Sequence, residues 1–167
     1  MLDKILYDFL AENIKGWQIR RPFQSAELDL TSGYISWYSI TKQAISTQTK
    51  HSKKNDAGSY SLAYAQRFKH EVMIIAERFT ARGIDSVDIM GVINILLNSK
   101  EFINKAKNAK IGLEALRIAG TMTTDHYLHD SQNWIARAMM PVEFLLWDSV
   151  ELKDAPIHNL GVEIENF

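Results

Sequence analysis

The residues best suited to chemistry in this sequence form one short cluster, Asp125-His126-Tyr127-Leu128-His129-Asp130. On a helix, His126 and His129 stand at positions i and i+3 and therefore face the same way. Two imidazoles at that spacing can bind one metal ion, and a residue from a neighbouring helix, His70 or Glu71, can complete the ligand shell. Because two histidines without a fixed third ligand arise easily by chance, a polar structural role for the pair is the stronger interpretation.

The common catalytic signatures are absent from the sequence. His70-Glu71 begins like the metalloprotease helix motif, but Ile74 stands where the second histidine ligand should be. No glycine-rich phosphate loop precedes a Lys-Ser or Lys-Thr pair, and no Gly-x-Ser-x-Gly nucleophile elbow is present. We therefore predict a non-enzymatic protein with no catalytic residues and no cofactor, although carboxylates that pair across helices leave no sequence signature.

A basic segment runs from Lys42 to Lys54 and contains no acidic residue. Trp37 and Tyr38 lie just upstream, and cationic loops beside aromatic residues can bind a nucleic-acid backbone. This alternative function would use five cations: Arg20, Arg21, Lys50, Lys53 and Lys54. The net charge of −1 argues against a nucleic-acid partner. A long, solvated polar loop over residues 46–58 is the simpler interpretation of the same region.

The C-terminal region has the opposite charge. After residue 140, six acidic residues stand against Lys153 alone, and Phe144 and Trp147 are interleaved with them. An acidic surface with embedded aromatic residues can dock a basic partner. The residues predicted to bind this partner are Glu143, Trp147, Asp148 and Glu151.

Composition limits the class of protein. The chain has 167 residues, which fits one domain over residues 1–167. It contains no cysteine, which excludes disulfides and thiolate chemistry and fits a reducing compartment. The sequence shows no signal segment and no apolar stretch long enough to span a membrane, so we expect a cytoplasmic protein without a membrane partner.

Charge is divided unevenly between the two halves of the chain. Residues 1–84 carry twelve Lys and Arg against eight Asp and Glu, and residues 85–167 carry seven against twelve. Internal pairing of the two halves is the simplest consequence, and self-association into a homo-oligomer is an open alternative.

Hydrophobic periodicity predicts helices along most of the chain. An apolar stripe over residues 2–14 indicates a first helix that stops before Gly16. The segment 59–82 has the most regular pattern, with apolar steps of 3, 3, 4, 3 and 4 residues. Ser86 is suited to cap a helix over 87–98, which is apolar almost all round and is therefore predicted to be central.

Shorter helices are predicted in the second half of the chain. Ser99 is suited to cap a helix over 99–109, with Phe102, Ile103 and Ala106 facing inward. The remaining helical segments are 112–120, 125–139 and a turn that begins at Pro141 and continues to Trp147.

Residues 17–41 admit two interpretations. Alternating runs on either side of Thr31-Ser32-Gly33 are typical of a β-hairpin. A helix from about Tyr34 is the alternative, and it is favoured because Lys42-Gln43-Ala44 continues it smoothly. The sequence as a whole therefore predicts a mainly α, single-domain bundle of about six helices, with a small β-hairpin within 17–40 as an open option.

Taken together, these patterns predict an interaction protein of the immunity, inhibitor or adaptor type, which binds another macromolecule through its acidic and aromatic C-terminal face. A nucleic-acid-binding accessory protein and a helical-bundle metalloprotein are the two alternatives. The identity of the partner and the oligomeric state leave no signature in the sequence.

Overall fold

Two very long antiparallel strands, and not a helical bundle, dominate the fold. The computed structural model describes residues 2–21, 30–54, 60–80, 85–109, 112–118, 120–130 and 132–152. Within these ranges lie three helices and seven strands. The helices are α1 (Leu2–Asn13), α2 (Ser86–Leu97) and α3 (Lys100–Asn108). The strands are β1 (Gln18–Ile19), β2 (Tyr34–Ala44), β3 (Thr49–Lys54), β4 (Tyr60–Phe79), β5 (Leu113–Ile118), β6 (Thr123–Leu128) and β7 (Trp134–Leu152). The prediction of a mainly α, all-helical bundle was therefore wrong.

The seven strands form one mixed sheet in the order β1-β2-β4-β7-β5. Strand β3 pairs with the part of β4 that extends past the end of β2. Strand β6 pairs in the same way with the part of β7 that extends past the end of β5. The β1–β2 pair is parallel and the others are antiparallel. As a result, β4 and β7 run through the centre of the sheet and connect its two ends.

All three helices pack on one face of the sheet, which we call the helix face. Helix α2 crosses β4 and β7, α3 packs on α2 and β5, and α1 packs on β1 and α3. Fully burying one Leu, Ile or Phe side chain contributes roughly 1.5–3 kcal/mol, so this core is the main source of stability. Its most deeply buried side chains are Leu6, Leu10, Ile35, Val72, Ile74, Met90, Ile93, Leu97, Phe102, Val142 and Phe144.

The segment predicted as the clearest helix, 59–82, is strand β4. Val72, Ile74 and Ala76 are buried on the helix face with a period of two, while Met73 and Ile75 are half-buried on the other face. Because both faces carry apolar residues, the apolar run is nearly continuous, and a subset of it happens to match the helical period. The β-branched residues in the run fit a strand better than a helix.

The helices predicted over 112–120 and 125–139 and from Pro141 are also strands, namely β5, β6 and β7. A proline inside a central strand is unusual, because it cannot donate a ladder hydrogen bond. Pro141 lies at the interruption between β5, which ends opposite Val142, and β6, which begins opposite Met139. The connecting chain passes so close that a Cβ added at Gly120 would lie 3.2 Å from the proline ring.

In the region 17–58, the preference for a helix from Tyr34 was wrong, because residues 34–44 form β2. The first run of the alternative hairpin is 26–30, of which residues 26–29 lie outside the described residues. The polar loop predicted over 46–58 is in part strand β3, so the polar residues 49–54 are positioned by pairing with β4.

The helices predicted from local signals are confirmed. Helix α1 ends at Asn13, and Gly16 adopts a left-handed φ of 79° in the following turn. The Ser99 side chain caps α3 by accepting a hydrogen bond from Phe102 N at 3.2 Å. Asp85, one residue before the predicted Ser86, caps α2. Helix α2, which was predicted to be central, crosses both central strands, but it is not apolar-packed all round, since Ile95 is 74% exposed.

None of the helices in the described part of the chain is long and apolar enough to cross a lipid bilayer.

The packing of α3 can be tested with two adjacent residues. Phe102 is fully buried and meets the ring of Phe9 edge-on at 5.1 Å, whereas Ile103, which was predicted to face inward, is 36% exposed. We expect Phe102→Ala to lower the free energy of unfolding by roughly 3–5 kcal/mol, because it leaves a cavity in the core. The matched change Ile103→Ala should cost about 1 kcal/mol or less. Urea denaturation followed by tryptophan fluorescence measures both, and equal losses would contradict the packing described.

Candidate interaction site

One end of the sheet extends beyond the helices. Strand β4 is about 65 Å long at roughly 3.3 Å per residue, which is more than α2 can cover. Along β4 no side chain from Tyr64 to Glu71 is fully buried, and the side chains of residues 38–45 and 147–149 are exposed. We call residues 38–50, 64–70 and 147–149 the distal arm. It is a β-ribbon with two accessible faces: the continuation of the helix face and the opposite, open face.

The structure distributes the four predicted partner-binding residues over both faces. Successive residues of a strand point to opposite sides, so Glu143 and Trp147 lie on the open face and Asp148 lies on the helix face. Glu151 is opposite Ala63 in the β4–β7 ladder, and its side chain lies outside the described part of the structure. These residues therefore do not form a single acidic surface.

Glu143 is an internal carboxylate rather than a docking charge. It is 4% exposed and accepts hydrogen bonds from Arg117 Nε at 2.6 Å and from Arg117 Nη2 at 3.1 Å. Lys69 Nζ lies 3.5 Å away. The hydrogen bonds from Arg117 hold the pKa of Glu143 below its ordinary value despite desolvation, and the Arg117 pKa is raised in turn. The two cations also offset the like charge of Glu71, which is the direct cross-strand neighbour.

A second buried carboxylate lies on the open face, at the other end of the sheet. Glu77 is paired with Arg137 on the neighbouring strand. The guanidinium of Arg137 lies 4.4 Å from the ring centroid of Tyr127, and burial raises the pKa of that phenol. Between the two ion pairs, the middle of the open face is apolar and half-buried, with Met73, Ile75, Met139 and Pro141. This face thus consists of an apolar centre between two neutralised charge clusters.

Trp147 is held in a fixed position on the open face of the arm. Its side chain is 37% exposed, and the guanidinium of Arg67 lies 5.6 Å from its ring centroid. Arg67 is itself fixed by two hydrogen bonds to Glu114, at 2.8 and 2.6 Å. Trp147 N donates to Gly112 O at 2.9 Å, and Gly112, with φ of 62°, leaves no room for a Cβ, which would lie 2.5 Å from Trp147 O. Trp147 is therefore a rigid, accessible aromatic side chain.

The helix face of the arm carries a different group of residues. Lys42 forms an ion pair with Asp148, and its ammonium lies 4.8 Å from the ring centroid of Phe68. Beside this group is an open groove of about 230 Å³, whose lining comprises Gln48, Tyr64, Ala65, Gln66, Phe68 and Asp148. Sequence reasoning selected Asp148, assigned Lys42 only to the basic segment of the nucleic-acid alternative, and missed Phe68. The contacts of Lys42 depend on the pairing of β2 with β4 and of β4 with β7.

Ser39 and His70 form a polar contact between this groove and α1. Ser39 Oγ lies 2.8 Å from His70 Nε2. Burial, and secondarily the charge of Lys42, lowers the pKa of His70, so the imidazole is neutral at pH 7. A nucleophilic hydroxyl needs a base that a third group orients. The nearby carboxylates have other partners: Asp3 accepts from Trp37 Nε1 at 2.9 Å, and Asp148 pairs with Lys42. The contact thus does not carry a catalytic assignment.

The proposed metal ligands do not meet. His126 is an exposed residue of β6, and His129 follows this strand and meets the ring of Phe79 edge-on at 5.8 Å. The helical spacing on which the site was based is absent, and adjacent strand residues such as His70 and Glu71 point to opposite faces. His126 pairs with Ala136 of β7, and Ala136 pairs in turn with Arg78 of β4. On β4, His70 is separated from Arg78 by about 26 Å, at roughly 3.3 Å per residue. Within the described ranges, no three His, Asp or Glu side chains are arranged to hold a metal ion.

The proposed nucleic-acid-binding residues lie at two distant places. The guanidinium of Arg20 is 5.9 Å from the ring centroid of Tyr34, and that of Arg21 is 4.6 Å from the ring centroid of Tyr7. Lys50 lies at the far end of the sheet, opposite Tyr64 of β4. About twelve residues of β4, or roughly 40 Å, separate this position from Arg20 and Arg21. Lys53 and Lys54 belong to β3, and their side chains are not among those described. The five cations therefore do not form one basic surface.

Comparison with known protein families found no matching family model, and comparison with curated proteins found no matching relative. Any function must therefore be argued from the geometry of the site.

The internal role of Glu143 can be tested through pH. Because its pKa is lower in the folded than in the unfolded chain, the carboxylate stabilises the fold fully above its ordinary value of 4.5. This contribution is lost as the pH falls from about 4.5 through the lowered folded pKa. We expect the free energy of unfolding of Glu143→Gln to be below that of the wild type at pH 7, and the difference to shrink in this acid range.

Urea denaturation at several pH values measures this difference. The control Glu114→Gln removes a more exposed carboxylate from its pair with Arg67 and should cost less than about 1 kcal/mol at pH 7. The internal role of Glu143 would be contradicted if the loss in free energy of unfolding caused by Glu143→Gln did not depend on pH. It would also be contradicted if Glu114→Gln caused a larger loss than Glu143→Gln.

Proposed function

We propose that this chain is a non-enzymatic interaction protein of the adaptor or inhibitor type, immunity proteins included, and that it binds another protein through the distal arm. The observation that carries the proposal is the arm itself, a β-ribbon that extends past the core. It presents the fixed pair of Trp147 and Arg67 on its open face, and Lys42, Phe68 and Asp148 on its helix face. We assign the protein to the cytoplasm, which a chain without cysteine fits.

Trp147 is the residue best suited to anchor a partner on the open face. Binding hot spots are enriched in tryptophan, tyrosine and arginine, and a side chain that is already fixed loses little conformational entropy on binding. The guanidinium of Arg67 forms a cation–π contact with Trp147, and Glu114 fixes Arg67. A partner that covers this pair would find it preorganised, and this supports a binding role for the arm.

The sequence predicts a basic partner protein, because acidic residues are concentrated in the C-terminal region. Of the acidic residues predicted to bind it, Asp148 fits this role and Glu143 does not. Glu143 has its own two cations and cannot attract a partner, whereas Asp148 is half-exposed and accessible. We therefore propose that aromatic area, rather than a net negative field, supplies most of the affinity, and that Asp148 contributes local complementarity.

The proposal can be tested by comparing two exposed tryptophans. Trp147 lies on the arm, and Trp134, which is 55% exposed, lies at the opposite end of β7. Full-length protein, Trp147→Ala and Trp134→Ala would each be used to capture partners from the source cell, with quantitative mass spectrometry as the readout. We expect Trp147→Ala to deplete specific partners at least tenfold, and Trp134→Ala to retain them.

Thermal denaturation of both variants controls for misfolding. Partners that survive Trp147→Ala but are lost with Trp134→Ala would move the interface to the other end of the sheet and contradict the proposal. Recovery of the chain itself as the main specific partner would indicate a homo-oligomer instead.

A further inference from the structure

Lys42 occupies a position that is suited to a positively charged side chain. Its ammonium is held by the Asp148 carboxylate and lies 4.8 Å from the centre of the Phe68 ring. A carboxylate beside an aromatic face is the combination that stabilises a cation by charge and by the ring quadrupole at once. Lys42 therefore shows which chemistry this part of the groove recognises.

We infer that the groove beside Phe68 and Asp148 receives an arginine side chain of the partner protein, and that Lys42 holds this position in the unbound protein. The inference rests on the proposed function and specifies it: the partner presents a basic segment to the helix face of the arm. Binding would exchange one cation for another, so the Asp148 carboxylate would keep a cationic partner and the exposed Lys42 ammonium would return to solvent.

The lining of the groove favours a guanidinium over an ammonium group. Phe68 and Tyr64 supply aromatic area on which a planar guanidinium can stack. Asp148 can accept two parallel hydrogen bonds from it. Gln66 donates through Nε2 to the carbonyl of Ser46 at 2.8 Å, which fixes the side-chain amide so that its oxygen is available as an acceptor. Lysine, a compact point charge, uses fewer of these groups.

The exchange is favourable because the resident pair is held weakly. The Lys42 and Asp148 side chains are 45% and 49% exposed, and exposed ion pairs contribute little to stability. A partner arginine that enters the groove also removes water from the aromatic surfaces, which strengthens its own ion pair. His70, whose pKa is lowered by burial and by Lys42, adds no positive charge at neutral pH that would repel the incoming group.

Titration of the isolated full-length protein with N-acetyl-L-arginine amide tests the inference without a partner. Two-dimensional NMR would follow the amide signals of residues 42, 48, 66, 68 and 148. We expect weak binding to the wild type. Lys42→Met should bind about fivefold more tightly, because the competing cation is gone, and Asp148→Asn should bind at least fivefold more weakly. N-acetyl-L-lysine amide should bind more weakly than the arginine compound.

Glu12→Gln is the matched control, because it removes another exposed carboxylate from an ion pair with a lysine, Lys105 of α3, which does not belong to the arm, and it should leave the titration unchanged. Equal affinity of the wild type and Asp148→Asn, or weaker binding by Lys42→Met, would overturn the inference. So would shifts confined to residues outside the groove. None of these results would affect Trp147-dependent capture, because Trp147 lies on the other face, so failure of the inference is distinguishable from failure of the proposed function.

Discussion

The register of β4 against β7 is the constraint on which the rest of the molecule depends. The two strands pair without interruption from Leu62–Leu152 to Phe79–Ile135, through eighteen residue pairs. A slip of one residue in either strand would turn its side chains to the opposite face. The buried carboxylates Glu77 and Glu143 would then enter the hydrophobic core, at a cost of several kcal/mol for each unpaired charge. The ion pairs Glu77–Arg137 and Lys69–Glu143, each of which joins β4 to β7, thus specify the register as well as stabilise it.

The same constraint produces the distal arm. Because the helices are short and the central strands are long, only part of the ladder can be covered on the helix face, and the rest has to be stable as an exposed ribbon. The side chains on its open face are accordingly positioned by cross-strand contacts and not by burial, as in the cation–π contact of Arg67 with Trp147. A surface built in this way is both accessible and rigid, which are the two properties that a binding site needs.

The sequence predicted the helices and missed the sheet for physical reasons. Helices α1 and α3 depend on local features, an apolar stripe and the Ser99 cap, which a sequence displays directly. Strand β4 is apolar on both faces, so its period of two is hidden, and only the contrast between Val72 and Met73 in the structure reveals it. Pro141 suggested a helix start because the interruption between β5 and β6 that accommodates it depends on long-range pairing.

The candidate site was predictable only in part, for the same reason. Trp147 and Asp148 were selected by residue type. Because the segment was predicted to be helical, the sequence did not show that these consecutive residues point to opposite faces of a strand. Lys42 and Asp148 are 106 residues apart, and only the order β2-β4-β7 brings them together.

This topology balances part of the uneven division of charge between the two halves of the chain, although Glu12–Lys105 and Glu77–Arg137 pair in the opposite sense. Three cations of the first half pair with acids of the second, in the ion pairs Lys42–Asp148, Arg67–Glu114 and Lys69–Glu143. All three lie on or beside the arm, so most of its charges are neutralised at close range by a partner in the same chain. Long-range electrostatic steering then contributes little to binding, and a partner is recognised at close range, by its fit to Trp147 and by the cation that it can place against Phe68 and Asp148.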